Sequence, residues 1–294
     1  MQTKDLIAKV RKIEIRTRKA VEDIAGGAYH SMFKGRGIEF SEVRAYSRDD
    51  DIRDIDWNVT ARTGSPYIKM YMEERELTVL LAVDVSPSVS FGTGTESKRE
   101  CIAAAAALLA FSAIRNHDKV GLVLFSDRVE LYLPPRAGRR QVLRILRELV
   151  AREPEPDRRT DLNIPLEWIM RAQKKRAAVF LISDFVDCGN FERNLELLSC
   201  RHDVAAFRIL DPFEEKLPVR LPPLCLSDAE TGAFFCSPAR RDIYQKAQQT
   251  LRDETGKLLR HARVDLVDLR CGEDTVKPLI GFFRRRRLHR RTGL

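Results

Sequence analysis

Thr78-Val79-Leu80-Leu81-Ala82-Val83-Asp84-Val85-Ser86-Pro87-Ser88 is the stretch whose reading decides the fold. An unbroken run of β-branched and aliphatic residues ends at Asp84. Such a run reads as a strand buried on both faces, the central strand of a parallel sheet. It gives way to an Asp-x-Ser-x-Ser loop, then a Gly- and Thr-rich stretch over residues 91–95, then a long helical pattern from about Ser97. That order puts the loop at the carboxyl end of a core strand, where open α/β sheets place their ligands. One carboxylate and two hydroxyls two residues apart form a set of hard oxygens suited to Mg²⁺ or Mn²⁺ rather than Zn²⁺. The same pattern also reads as a plain strand-to-helix turn in which Ser86 or Ser88 caps the helix.

Working outward, the pattern alternates. Lys119 to Phe125 reads as a second core strand, and Val129 to Leu133 as an antiparallel edge strand ended by Pro134-Pro135. Ala177 to Ser183 reads as a third buried strand, Asp203 to Leu210 as a fourth and Val264 to Leu269 as a last one. Helical patterns fall at 97–115, 138–150, 161–174, 190–200 and about 238–261, with a short one at 274–283. Strands alternating with helices predict an α/β fold with a doubly wound parallel sheet. Residues 224–236 read as a β-hairpin around Glu230-Thr231-Gly232, an insertion spanning about 221–238. The expected organisation is an N-terminal extension over 1–75, the α/β domain over 76–272, and a C-terminal helix with an arginine-rich tail over 273–294.

In the extension, residues 1–25 have the spacing of an amphipathic helix and 29–40 read as a basic loop. Residues 42–57 are dense in charge and predict a network of Asp–Arg pairs around a buried Trp57, with Arg53 paired to a carboxylate. The acidic run lacks the Gly and Glu spacing of a calcium-binding EF-hand. Pro66 to Met72 alternates as a half-buried strand.

The 294 residues carry 52 Lys+Arg against 43 Asp+Glu, a net charge of +9. Six of those nine excess positives are Arg284 to Arg287, Arg290 and Arg291, so the rest of the chain is close to neutral. The basic balance is a property of the tail, which reads as a solvated end or, alternatively, as a patch for anionic lipid or nucleic acid, and it does not predict a nucleic-acid groove. Six cysteines stand scattered with no Cys-x-x-Cys spacing, which argues against a zinc site and a disulfide framework and fits reduced thiols in the cytoplasm. The most apolar helical stretch, 101–114, falls short of the about 20 residues a membrane span needs.

Three segments are expected to meet at the carboxyl edge of the sheet. They carry Asp84, Ser86 and Ser88, then Thr160 before a helix, then Asp184 after the third core strand. Together they offer two carboxylates and three hydroxyls, near the six oxygens of an octahedral Mg²⁺ once water is counted. Read singly, Thr160 and Asp184 are each also candidate helix caps.

That constellation resembles the von Willebrand factor A domain, a Rossmann-type fold whose metal-ion-dependent adhesion site uses Asp-x-Ser-x-Ser, a Thr, and an Asp after a later core strand. The resemblance implies Ser86, Ser88 and Thr160 as Mg²⁺ (or Mn²⁺) ligands, with Asp84 and Asp184 ligating directly or through water. Upstream, Lys34-Gly35-Arg36-Gly37-Ile38-Glu39-Phe40-Ser41-Glu42-Val43-Arg44 and Arg53-Asp54-Ile55-Asp56-Trp57-Asn58-Val59-Thr60-Ala61-Arg62 are similar to the bacterial family called domain of unknown function 58. The similarity spans nearly the whole chain. It departs at Arg48-Asp49, where the family usually has Pro-Gly. The resemblance is to the subset without N-terminal transmembrane helices, and it implies a MoxR-type AAA+ ATPase as partner.

The function expected from these readings is a non-enzymatic, metal-dependent protein-binding module, taking an Asp or Glu carboxylate of its partner. The alternative is a Mg²⁺-dependent phosphohydrolase with Asp84 as nucleophile. Against it, the second acid such enzymes carry two positions on is replaced by Ser86. No Lys with a Gly-rich phosphate loop appears, so the chain is not itself an NTPase.

Overall fold

A computed structural model describes residues 13, 14, 17, 21, 39–47, 50–72, 77–90, 92–94, 96–155, 158–186, 188–215, 224–227, 234–237 and 241–291. Its centre is a six-stranded sheet. In chain order the strands are β3 (Thr78–Asp84), β4 (Lys119–Phe125), β5 (Val129–Arg136), β6 (Ala178–Ser183), β7 (Asp203–Leu210) and β10 (Asp265–Arg270). Across the sheet they run β10-β7-β6-β3-β4-β5, and every pairing is parallel except β4 with β5. β3 lies between β4 and β6, with Val83 opposite Leu124 on one side and Ile182 on the other. The two short strand pairs outside this sheet are β1 (Glu39–Ala45) with β2 (Tyr67–Met72), and β8 (Leu224–Ser227) with β9 (Phe234–Ser237), both antiparallel.

Helices cover both faces. Alternate residues of β3 divide between two cores: Val79, Leu81 and Val83 face one, Leu80 and Ala82 the other. The first core is closed by α2 (Lys98–Arg115), α3 (Arg139–Ala151) and α7 (Val276–Arg291). The second is closed by α4 (Asn163–Ala172), α5 (Glu192–Arg201) and the end of α6 (Arg241–His261). A further helix, α1 (Trp57–Thr63), follows β1. The alanines of α2 are buried nearly all round, which lets its backbone lie close to the sheet. Gly121 in β4 serves a similar close approach. A Cβ there would lie 2.8 Å from Leu80 Cδ2 and 2.9 Å from the Leu133 carbonyl.

The doubly wound sheet with β3 inside it, flanked by β4 and β6, is as the sequence predicts. Several boundaries differ. β5 continues through Pro134-Pro135 to Arg136, which an edge strand tolerates because its outer side needs no amide donors. The segment read as a loop and a charge network instead contributes β1, held by antiparallel pairing to β2, which local propensity does not reveal. Trp57 is 67% exposed, and Arg53 is exposed with no ion pair among the described residues, so the expected network around a buried Trp is not formed there. The acids act locally instead. Asp56 caps α1, its Oδ1 accepting from the amides of Asn58 (3.0 Å) and Val59 (3.3 Å), while Asp50 pairs with Arg44.

The arginine run is not simply a solvated end. It extends α7 to Arg291, and the Arg286 side chain bonds Asp203 (2.6 Å), Asp265 and the Val204 carbonyl while stacking over Phe282. In the first 25 residues, Ile13, Glu14, Thr17 and Val21 are helical; the rest of that stretch lies outside the described residues, as does the turn at Glu230-Thr231-Gly232. No helix among the described residues is long and apolar enough to cross a membrane.

Candidate functional site

β3 and β6 run parallel and end side by side, so Asp84 and Asp184 emerge at the same edge of the sheet. Both are buried. The Asp84 carboxylate is held at both oxygens: Oδ1 accepts from the Ser86 amide (2.9 Å) and Oδ2 from the Ser183 hydroxyl (2.6 Å). Burial, and after it the neighbouring charge of Asp184, push the Asp84 carboxyl up to about 7, against the pull of the Ser183 and Ser86 hydrogen bonds. The Ser86 and Ser88 hydroxyls stand 2.9 Å apart.

Thr160 is buried in the loop before α4, and its neighbours tie that loop to the same edge. The Asp161 amide donates to the Ser126 carbonyl just past β4 (3.2 Å), and the Leu162 amide to the Cys188 carbonyl past β6 (3.3 Å). All five residues named from the sequence therefore lie at the end of β3 or on the loops at that end of the sheet. Their alternative roles as caps are filled by others. α2 is capped by Ser97, in a capping box with Glu100, not by Ser86 or Ser88. α4 begins after Leu162, and the acceptor for its first amide is Asp161, not Thr160. α5 follows Phe191 rather than Asp184, whose Oδ1 instead accepts from the Val186 amide (3.2 Å).

Three partners were missed by the sequence reading. Ser183, the last residue of β6, bridges the two strand ends: its hydroxyl donates to Asp84 and accepts from the Phe185 amide (3.0 Å). Phe185 sits at φ 56°, a left-handed conformation that turns the chain sharply after Asp184. Lys98, the first residue of α2, is 1% exposed, and its ammonium donates to Asp184 Oδ2 (3.0 Å) and to Glu214 Oε1. Glu214 lies on a single helical turn, Pro212–Glu215, after β7. Burial works to lower the Lys98 pKa, but the charges of Asp184 and Glu214 outweigh it and hold the ammonium above a lysine's ordinary value. Glu214 also stays above its ordinary value, because its own burial outweighs an ammonium it shares with Asp184. One signal in the sequence pointed at Lys98: a lysine in the first turn of a helix opposes the helix dipole and needs a reason.

The donor set fits a hard divalent cation. Serine oxygens 2.9 Å apart match the roughly 3 Å between adjacent ligands of an octahedral ion with bonds of about 2.1 Å. Asp184 already has the Lys98 ammonium beside it, and a cation close to Asp84 would favour the ionised form that burial and Asp184 disfavour. The same surroundings suit Asp84 as a ligand through water, since both its oxygens already accept bonds.

Residues 42–255 match the family described as protein of unknown function DUF58. An uncharacterized protein of Mycobacterium tuberculosis strain H37Rv is 31% identical over 286 residues, covering 96% of this chain and 90% of that protein. One of Mycobacterium avium is 30% identical over 159 residues, covering 53% of this chain and 94% of that protein. Among solved structures, BatB of Bacteroides thetaiotaomicron covers 71% of this chain and 98% of its own at 15% identity, with a TM-score of 0.49. The SpRpn10 VWA domain covers 71% of this chain and 95% of its own at 10% identity, with a TM-score of 0.39.

Proposed function

The chain belongs to the DUF58 family, and from that premise we propose that it is a metal-dependent protein-binding module, not an enzyme. The observation that carries this reading is the pair of Ser86 and Ser88 hydroxyls, 2.9 Å apart, at the strand end where buried Asp84 and Asp184 meet. Ser86, Ser88 and Thr160 would hold Mg²⁺ or Mn²⁺ with their hydroxyl oxygens, and Asp84 and Asp184 would balance its charge. A bound ion would supply a coordination position for a carboxylate offered by a partner, a charge-assisted contact. The family resemblance makes a MoxR-type AAA+ ATPase the partner to try first.

This chain's residues do the positioning. Ser183 and the Ser86 amide fix the orientation of Asp84, and the Val186 amide and the Lys98 ammonium fix that of Asp184. The phosphohydrolase alternative is disfavoured because Asp84 has both oxygens engaged and position 86 is a serine, so neither a free nucleophile nor a general acid two residues on is in place.

Titration calorimetry against the ATPase, with Mg²⁺ and then with EDTA, is the test. Binding is expected only with the ion, and it is expected to vanish in Asp84→Ala while the fold persists. Reciprocally, the partner should raise metal affinity by the factor by which metal raises partner affinity. Equal affinity in both buffers sinks the proposal, and phosphate release lost in Asp84→Ala replaces it with the hydrolase.

A further inference from the structure

A lysine at the head of α2 is an expensive choice. It opposes the helix dipole, and a buried ammonium is tolerated only with partners. Apolar residues often replace buried ion pairs at little cost or with gain, so stability alone does not call for a charge here. What the position offers is reach. The Lys98 ammonium touches Asp184 on the loop after β6 (3.0 Å) and Glu214 on the turn after β7. The same turn is linked to the loop before α2, because buried Asp211 accepts from the Thr93 amide (3.0 Å). Asp84 lies close enough to Asp184 to feel its charge. Two carboxylates thus share one ammonium, with a third, Asp84, beside them, so negative charge is in excess whenever all three are ionised, and a divalent ion would offset it.

We propose that Lys98 sets how strongly this site takes a divalent cation, by holding one oxygen of Asp184 against the ion and by linking that oxygen to Glu214 on the segment after β7. The inference rests on the metal-binding reading above and names the residue that regulates it. In the metal-free protein Lys98 shares its protons between Asp184 and Glu214. When Asp184 is drawn toward an ion, Glu214 becomes the principal acceptor, so occupancy of the site is coupled to the Pro212–Glu215 turn. The same competition makes binding weak in the free protein and sensitive to any partner that adds a carboxylate.

The two sides of Lys98 give opposite expectations, which a merely structural role does not. Lys98→Met removes the competitor and should bind Mg²⁺ and Mn²⁺ roughly tenfold tighter or more. Glu214→Gln removes the charge that competes with Asp184 for the ammonium, which should strengthen the Lys98–Asp184 pair and bind both ions more weakly than the parent. The measurement is calorimetry with MgCl₂ and with MnCl₂ on the full chain, each variant checked by circular dichroism. If Lys98→Met does not fold, Lys98→Met/Glu214→Gln removes the stranded acid as well and should still bind more tightly than Glu214→Gln alone.

Parent-like or weaker binding in Lys98→Met, or parent-like or tighter binding in Glu214→Gln, overturns the inference and leaves the metal-bridged function standing. Binding in Lys98→Met with none in the parent upholds Lys98 as the controlling residue and removes the metal-bridged reading of the natural site. Silence in every variant overturns both.

Discussion

His202 is buried with Nδ1 accepting from the Ala177 amide (3.2 Å) and Nε2 with no partner among the described residues. Burial, then the charges of Arg201 and Arg176, lower its pKa to about 4. The folded protein therefore refuses a proton that the unfolded chain accepts at about 6.5. Stability is complete above that value and is lost as pH falls towards 4, by on the order of 3 kcal/mol. His202→Gln, which keeps an acceptor for the amide, should flatten the stability curve between pH 6.5 and 4, read by denaturant unfolding at several pH values; an unchanged slope removes His202 as its source. At this scale the sequence was readable where chemistry is packed into a short motif. Asp84, Ser86 and Ser88 announce themselves within five residues. Lys98 and Glu214 stand 116 positions apart, and only the crossing of chain segments at the sheet edge brings them together. Trp57 was misread because an aromatic among charges suggests burial, whereas the local structure needs only the Asp56 cap beside it.

Among the elements, strands of continuous apolar residues were the most legible, because burial on both faces leaves no polar position to confuse the pattern. The element most misjudged was α7. Its arginines suggested a solvated end, yet arginine is a good helix former, and Leu279, Phe282 and Phe283 anchor the helix in the core. Arg286 extends that anchorage to Asp203 at the start of β7 and Asp265 at the start of β10. Arg286→Ala should cost roughly 2–3 kcal/mol, below the 3–5 typical of a fully buried pair because the group is partly open to solvent. Arg284→Ala, at an exposed position of the same helix, should stay within about 0.5 kcal/mol of the parent. Equal midpoints for the two variants in chemical denaturation remove the anchoring role.

For the molecule as a whole, alternation of strand and helix was enough to give the doubly wound sheet and to put the candidate ligands at one edge. The β1–β2 pair was half hidden, because two short strands separated by a helix depend on pairing rather than composition. With Arg53 and Trp57 both exposed, Arg53→Ala should unfold at the parent's denaturant midpoint, and a lowered midpoint would mean that Arg53 has a buried partner. One feature of the sheet bears on mechanics. β3 is paired in parallel along its length to β4 on one side and β6 on the other, and the Ser86–Ser88 loop leaves from its end. A partner that pulls on that loop along the strand loads both ladders in shear, so many hydrogen bonds resist together instead of opening one by one. The Ser86–Ser88 loop is thereby fastened to a strand held by hydrogen-bond ladders on both sides.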